Sequence, residues 1–381
     1  MHLLIATAFD PIPSDGIALG RYHFLAKAMM YRGHQVSVLT SSFSHTLKKQ
    51  RAIHIELIEG IQYLKIASPN YSKNLSLARL NNHRILGNNA TAILEACHHE
   101  SPIDLIVCAT PPLLFAKSVL QWGASHKLPT VLDIQDAWPE AWRSASTLLY
   151  KLTLNAMYWR KIHEQNLELA TAITSVAQSY LPENTVKPHS VFYLGAPCSE
   201  IPALNLSDTL SSNHKMNWVF LGNTGSHAPL LRFLNSAIPH HPKVTYIGNC
   251  NDEKIKSHAL VSYQGPLYGA KLYAALNEND FGLFVNDDYK EIKLPNKLFY
   301  YWACGIPVLG IDIYGEAKAL IEEMGGLVFN DCPIDFEKIK LWKANTNRNA
   351  IREKALQRFD QKIIYQTFSE FLETVLTQYH S

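Results

Sequence analysis

Two stretches hold residues whose types and spacing ask for a chemical explanation. In "EIKLPNKLFYYWACGIPVLG", Glu291 to Gly310, Lys297 falls in the first turn of the helix predicted over "NKLFYYWACG". The helix dipole opposes a cation there by roughly 0.3–1 kcal/mol, and an anion bound at that end reverses the sign. Lys297 is therefore either one half of an anion-binding site or a flexible lysine whose head reaches solvent. Lys293, just before Pro295, is a second cation of the same kind, whereas Lys290 reads as surface. In "LPTVLDIQDAWPE", Leu128 to Glu140, acidic groups follow a buried-strand pattern. Asp136 is placed either to polarise or deprotonate a hydroxyl or to cap a helix beginning at "WPEAW", with Pro139 in its first turn. Asp133 and Glu140 are the lesser carboxylates, and Gln135 lies between them.

The elements that position these groups alternate along the chain. "HLLIATA" reads as an apolar strand and "FDPIPSDG" as a loop. "IALGRYHFLAKAMMYR" reads as a helix closed by Gly33, and "HQVSVLT" as the next strand. "IDLIVCA", "PTVLDIQ" and "TAITSVA" are further buried strands, so the first half is a doubly wound parallel sheet. "SEIPALNLSDTLSSNHKMN" is Ser/Asn-rich and aperiodic, a linker over 199–216. The alternation then restarts with "NWVFLGN", "KVTYIGN", "DFGLFVN" and "IPVLGI" as strands. The expected organisation is an N-terminal α/β domain over 1–198, a second over 217–358, and an amphipathic helix over 359–381 that returns to the first. Two such sheets in series imply a cleft between them, with ligands beyond the C-terminal strand ends.

Composition narrows the function classes. The 381 residues are 47% hydrophobic and 18% charged, with a formal charge of +2, which fits two globular cores and gives no reason to expect nucleic acid. Six scattered cysteines without metal-ligand spacing read as reduced thiols of a cytoplasmic protein. No signal peptide or membrane span is expected. The first loop offers Gly16 and Gly20 but no G-x-G-x-x-G, and the second strand ends in Thr40-Ser41 where a dinucleotide fold needs an acid. Neither a Walker A loop nor a G-x-S-x-G elbow occurs. "NDD", Asn286 to Asp288, reads as a solvated turn before it reads as a metal site, and no metal or cofactor is expected. The segment 146–163, "STLLYKLTLNAMYWRKIH", mixes leucines, tyrosines and bases. It is either an ordinary core-facing helix or a contact with a membrane surface.

Taken in order, these motifs resemble the bacterial glycosyltransferases of family 4, in the branch that builds surface polysaccharides. "RGHQVSVLT" is similar to that family's R-G-H-x-V-x-V-x-T, "DIQDAWPE" to its R-D-x-W-P-E, and "VFYLGAP" to its I-P-N-G-V. "LPNKLFYYWACGIPVLG" is similar to its P-x-K-x-x-E-Y-x-A-x-G-x-P-V. The resemblance covers nearly the whole chain. It implies the GT-B fold, two Rossmann-like doubly wound domains facing a central cleft, and metal-independent, retaining transfer of a hexosyl or N-acetylhexosaminyl group. The donor would be a nucleotide sugar, UDP- or GDP-linked. The acceptor would be a glycan or lipid-linked saccharide of lipopolysaccharide, capsule or exopolysaccharide synthesis, reached from the cytoplasm or the inner membrane face.

The resemblance also implies roles. Lys297, with Lys293, would hold the donor diphosphate, and Gly16 would allow close backbone approach unless it is only a turn glycine. Gly222, Asn223 and Thr224 would donate hydrogen bonds, because "GNTGSHAPL" lacks the family's loop cations, His227 apart. The family's glutamate after the lysine is here Tyr300, which either meets the donor ribose or joins the core beside Tyr301 and Trp302. Glu291 stands for the first glutamate of the family's pair. Asp136 would act on the acceptor hydroxyl, with Asp133, Gln135 and Glu140 on the acceptor side. Two alternatives share the architecture: a non-catalytic GT-B binding subunit and a sugar-nucleotide 2-epimerase.

Overall fold

The computed structural model describes residues 1–74, 76–139, 156–202, 216–222, 228–235, 243–285, 294–330 and 334–381. They form two compact units, Met1–Tyr193 with Tyr365–Ser381, and Leu194–Ile364.

The apolar runs of unit 1 become strands, the inner ones buried on both faces as a parallel sheet covered by helices requires, and the two edge strands partly exposed. They are β1 (His2–Ala6), β2 (Gln35–Ser41), β5 (Glu56–Ile58), β6 (Ile61–Ile66), β7 (Leu105–Thr110), β8 (Thr130–Ile134), β9 (Ala172–Ser175) and β10 (His189–Val191). A two-residue ribbon of β3 (Phe43–Ser44) and β4 (Lys49–Gln50) lies apart. The sheet order is β10-β9-β8-β7-β1-β2-β6-β5. All pairs are parallel except the β5–β6 hairpin at the edge. Helices α1 (Arg21–Tyr31), α2 (Leu77–Glu100), α3 (Leu113–Ser125) and α4 (Ala156–Leu169) connect the strands. The core joins Leu4, Leu39, Ile106 and Leu132 of the sheet to Leu86 and Leu94 of α2 and Phe115 and Val119 of α3. Strand order reverses between β1 and β7, so the loops after those strands flank a switch point.

Helix α1 starts at Arg21, four residues later than its apolar spacing suggests. Gly20 is extended, with no cap of its own, and the carboxylate of Asp10 accepts the Tyr22 N–H at 3.1 Å instead. Burial lifts the Asp10 pKa to about 6. The aliphatic-aromatic face of the last helix belongs to this unit from Tyr365 onward. Phe368 stacks on Phe192 at 4.3 Å, and Glu373 accepts hydrogen bonds from Arg32 and His34.

Unit 2 has six parallel strands, β11 (Trp218–Leu221), β12 (Val244–Ile247), β13 (Val261–Gly265), β14 (Phe281–Val285), β15 (Val308–Ile311) and β16 (Leu327–Phe329). Their order is β13-β12-β11-β14-β15-β16, the doubly wound order with its switch point between β11 and β14. Its helices are α5 (Ala228–Asn235), α6 (Glu253–Lys256), α7 (Gly269–Asn277), α8 (Lys297–Ala303), α9 (Gly315–Glu323), α10 (Phe336–Asn345) and α11 (Arg348–Arg358), and α12 (Gln361–His380) begins at its boundary. Trp218, Tyr246, Phe281 and Leu309 are the centre of the core. No helix among the described residues is long and apolar enough to cross a membrane.

Candidate functional site

The strand ends of unit 2 place Lys297. It opens the seven-residue helix α8, and its Nζ lies 4.1 Å from the ring centroid of Phe220 and 5.1 Å from that of Phe284. Those rings are next to last in β11 and β14, the two strands between which the order reverses. Burial pulls the Lys297 pKa down to about 7, because a desolvated ammonium loses hydration that the ring faces replace only in part. Among the described residues it forms no ion pair.

The helix behind Lys297 is anchored through its C-terminal half. Tyr301 is fully buried, and its hydroxyl accepts the Leu221 N–H at 2.7 Å and reaches the carbonyls of Val219 and Leu283 at 3.2 and 3.4 Å. One phenol thus ties α8 to β11 and β14. Just past Tyr301, at the helix C-terminus, Arg348 donates to the carbonyls of Gly305 and Cys304 and to that of Asn279, and Arg352 donates to that of Ala303 at 2.5 Å. Cations at the carbonyl end of a helix are the favourable arrangement. Tyr300 is half-buried, its ring stacked 6.5 Å from that of Tyr273, and burial raises its pKa. Gly222 directly follows β11 and donates its N–H to the Ile247 carbonyl at 3.0 Å. A Cβ there would meet the Phe220 ring at 2.7 Å, and that ring is the one beneath Lys297. Asn223, Thr224, His227, Glu291, Lys293 and the Asn286–Asp288 run lie outside the described residues.

The strand ends of unit 1 gather a different set. Gly16 has φ 67°, ψ 22° and closes the turn Pro13–Asp15 by donating to the Pro13 carbonyl. Arg51 pairs with Asp15 at 2.5 Å and binds the carbonyls of Ser41 and Asp10, which fastens this loop to the end of β2. Asp136 follows β8. It is half-exposed, and among the described residues its carboxylate accepts only the N–H of Ala137, at 3.0 Å. Gln135 donates its backbone N–H to the Thr110 carbonyl at 2.9 Å, while its Nε2 and the hydroxyl of Thr110 are buried without a partner. Glu140 lies outside the described residues.

Asp133 has a structural role where the acceptor side was expected. It is fully buried in β8, and all of its acceptor capacity is used. Arg21 binds it through Nε and a terminal nitrogen at 2.9 and 3.2 Å, Tyr22 donates at 2.8 Å and Thr174 at 2.7 Å. A carboxylate so enclosed pins α1 to the sheet and does not meet a ligand.

Around Asp136 lies a group that sequence reading passed over. Phe9, His45, Lys48, Tyr71, Arg79 and His83 come from the loop after β1, the turn between β3 and β4, the loop after β6 and the first turns of α2. The Arg79 guanidinium is 5.1 Å from the ring centroids of both Phe9 and Trp138. Lys48 donates to Asn74 at 2.7 Å and lies 4.5 Å from the centroid of Tyr71. His45 Nδ1 bonds the Tyr71 hydroxyl; burial, with Arg79 and Lys48 nearby, drives its pKa down to about 4. In the sequence these residues are dispersed apart from the short basic run Lys48-Lys49-Gln50-Arg51, and Arg51 of that run has a structural task.

A family model described as the C-terminal domain of glucosyltransferase 3-like proteins matches residues 218–365. No curated protein sequence matches the chain. Among solved structures, sucrose-phosphate synthase from Thermosynechococcus elongatus is 14% identical with a TM-score of 0.66, covering 99% of each chain. Anabaena HepE in complex with UDP-glucose is 15% identical with a TM-score of 0.63, covering 98% of this chain and 100% of that one. MurG of Acinetobacter baumannii is 11% identical with a TM-score of 0.51, covering 98% and 99%. At these identities the likeness is one of fold, and together with the two sheets it identifies the architecture as GT-B, with two Rossmann-like domains.

Proposed function

We propose that this chain is a glycosyltransferase that moves a sugar from a nucleoside diphosphate donor, bound by unit 2, to a hydroxyl of an acceptor glycan bound by unit 1. The observation that carries the reading is Lys297. A cation held over two aromatic rings at the switch point of a doubly wound sheet, without a carboxylate partner among the described residues, suits a diphosphate. The match to a glucosyltransferase 3-like domain over the same unit and the UDP-glucose in HepE support a nucleotide-sugar donor, UDP- or GDP-linked.

In this reading Lys297 neutralises charge that accumulates on the leaving diphosphate as the glycosidic bond breaks, and does so from a site where water screens little. Asn223, Thr224, Glu291 and Lys293 flank the donor, Gly222 shapes its floor, and Tyr300 borders it. Asp136 orients the acceptor hydroxyl, whose proton passes to that carboxylate or to the leaving phosphate. Transfer with retention, onto a surface glycan or lipid-linked saccharide at the inner membrane face, is the finer part of the proposal.

A thermal-shift panel of UDP, GDP, dTDP, CMP and ADP on the wild-type chain and on Lys297→Met tests it. A nucleotide at a hundred times its dissociation constant stabilises by about 2.7 kcal/mol, and Lys297→Met should remove most of that rise. If no nucleotide raises the melting temperature, the transferase reading fails and a non-catalytic GT-B subunit takes its place.

A further inference from the structure

The half-buried corner formed by Lys48 and Arg79 is a cationic site that the protein itself leaves uncompensated. Among the described residues Arg79 makes no ion pair. It donates to the Asn74 carbonyl at 2.9 Å and to the Tyr71 hydroxyl, and its Nε is buried without a partner. Lys48 likewise bonds an amide and a ring, not a carboxylate. The two histidines beside them are held neutral by burial and by these same cations. His83, only 2% exposed, packs against Phe9 and Trp138 at 5.6 and 5.9 Å, and its Nε2 also lacks a partner. The carboxylate whose charge reaches Arg79 is Asp136, and the two form no ion pair. Elsewhere in the same unit Arg21 is matched by Asp133, Arg51 by Asp15 and Lys65 by Glu56, and the half-buried Lys187 is satisfied by three backbone carbonyls. A guanidinium walled by Phe9 and Trp138 has lost hydration without gaining an anion, and unpaired buried donors are costly. Arg79 with Lys48 presents the forked and point donors that carboxylate and phosphate oxygens accept.

We infer that unit 1 takes an acceptor carrying an anionic group, a carboxylate or a phosphate, which docks on Arg79 and Lys48 beside Asp136. This rests on the glycosyltransferase reading and names the class of its acceptor. The anion completes the hydrogen bonding of the Arg79 guanidinium and sets which acceptor hydroxyl faces Asp136. A neutral saccharide leaves the corner uncompensated.

Isothermal titration of the full chain, saturated with UDP, compares methyl β-glucuronoside, glucose 1-phosphate and methyl β-glucoside. One of the two anionic sugars should bind at least about tenfold more tightly than the neutral one, the size of one charge-assisted hydrogen bond. Which of the two it is distinguishes a uronate from a phosphate-bearing acceptor. Arg79→Gln should erase the preference. Lys48→Gln, on a surface loop, should reduce it severalfold and keeps the test decisive if Arg79→Gln unfolds. Equal affinity for all three sugars, absence of binding by any, or a preference that survives both substitutions overturns the inference. UDP titrated alone separates the two proposals. Normal UDP binding without anion preference defeats only the acceptor assignment. Anion preference lost in Arg79→Gln, without UDP binding, defeats the transferase reading and leaves the anion site standing.

Discussion

Lys297 shows how one side chain's environment sets both its cost and its use. Its pKa of about 7 lies below the ordinary 10.5, so the unfolded chain holds that proton more firmly than the folded one. Stability from this group therefore rises with pH between about 7 and 10.5, as the penalty of burying the charge is relieved. A diphosphate beside the ammonium restores the charged form. At a pH of about 8.5, where free Lys297 is largely neutral, nucleotide binding should take up close to one proton. Calorimetry in two buffers of different ionisation heat measures this uptake. It should vanish in Lys297→Met, and uptake that persists there places the proton on another group. Without ligand, Lys297→Met should be as stable as the wild type or more so, by on the order of 1 kcal/mol, since it removes a desolvated charge from two ring faces. Asp136 was readable as an acid after a strand. The group of Arg79, Lys48 and His83 was not, because its members are up to 35 positions apart, from Lys48 to His83 (83 − 48), and no local pattern joins them.

Helix α8 owes its position to groups far from it in sequence. Its run of aromatics predicted a buried helix, and Leu298, Phe299, Tyr301 and Trp302 are indeed buried. What ties it to the sheet is the hydroxyl of Tyr301 on the backbone of β11 and β14. Tyr301→Phe keeps the ring and orphans the buried Leu221 N–H, so unit 2 should lose roughly 1–3 kcal/mol. Urea denaturation reads that loss, and nucleotide binding should weaken with it because Lys297 rides on the same helix. A fully stable variant would mean that water or a relaxed backbone satisfies Leu221. The start of α1 shows the opposite limit of pattern reading. The apolar spacing runs through Ile17 and Leu19, yet the helix waits for Arg21 because the carboxylate of Asp10, eleven residues earlier (21 − 10), supplies the cap.

Unit 1 is not continuous in sequence, since it recruits Tyr365–Ser381 after the whole of unit 2. The recruited helix covers Phe192 with Phe368, whose ring also lies 5.0 Å from the Arg21 guanidinium. It also supplies Glu373, whose carboxyl Arg32 and His34 hold down at about 2. A chain ending at Ile364 therefore exposes Phe192 and the buried Arg21–Asp133 pair together. Loss of one large aromatic contact costs about 3–5 kcal/mol, so the shortened chain should melt well below the full one. Limited proteolysis should then cut within residues 1–193 first. Equal melting temperatures would show that the helix merely lies on the surface.

Hydrophobic periodicity alone determined the two α/β halves and the amphipathic last helix. Strands buried on both faces must be apolar throughout, and helices packed on one side must repeat near 3.6. The same periodicity missed β6 and β13, where Gln62, Ser262 and Gln264 interrupt an apolar run, and β16, which is only three residues long. Charge pairing was decided by tertiary structure. Asp133 and Asp136 were both candidates, Asp136 the first, yet only the structure shows that Asp133 is saturated by Arg21, Tyr22 and Thr174, while Asp136 stays half-exposed. Arg51 and Arg79 both lie on unit 1, yet among the described residues only Arg51 has a carboxylate partner. Which ionisable groups find a partner depends on the three-dimensional neighbours of each, and sequence spacing does not encode them.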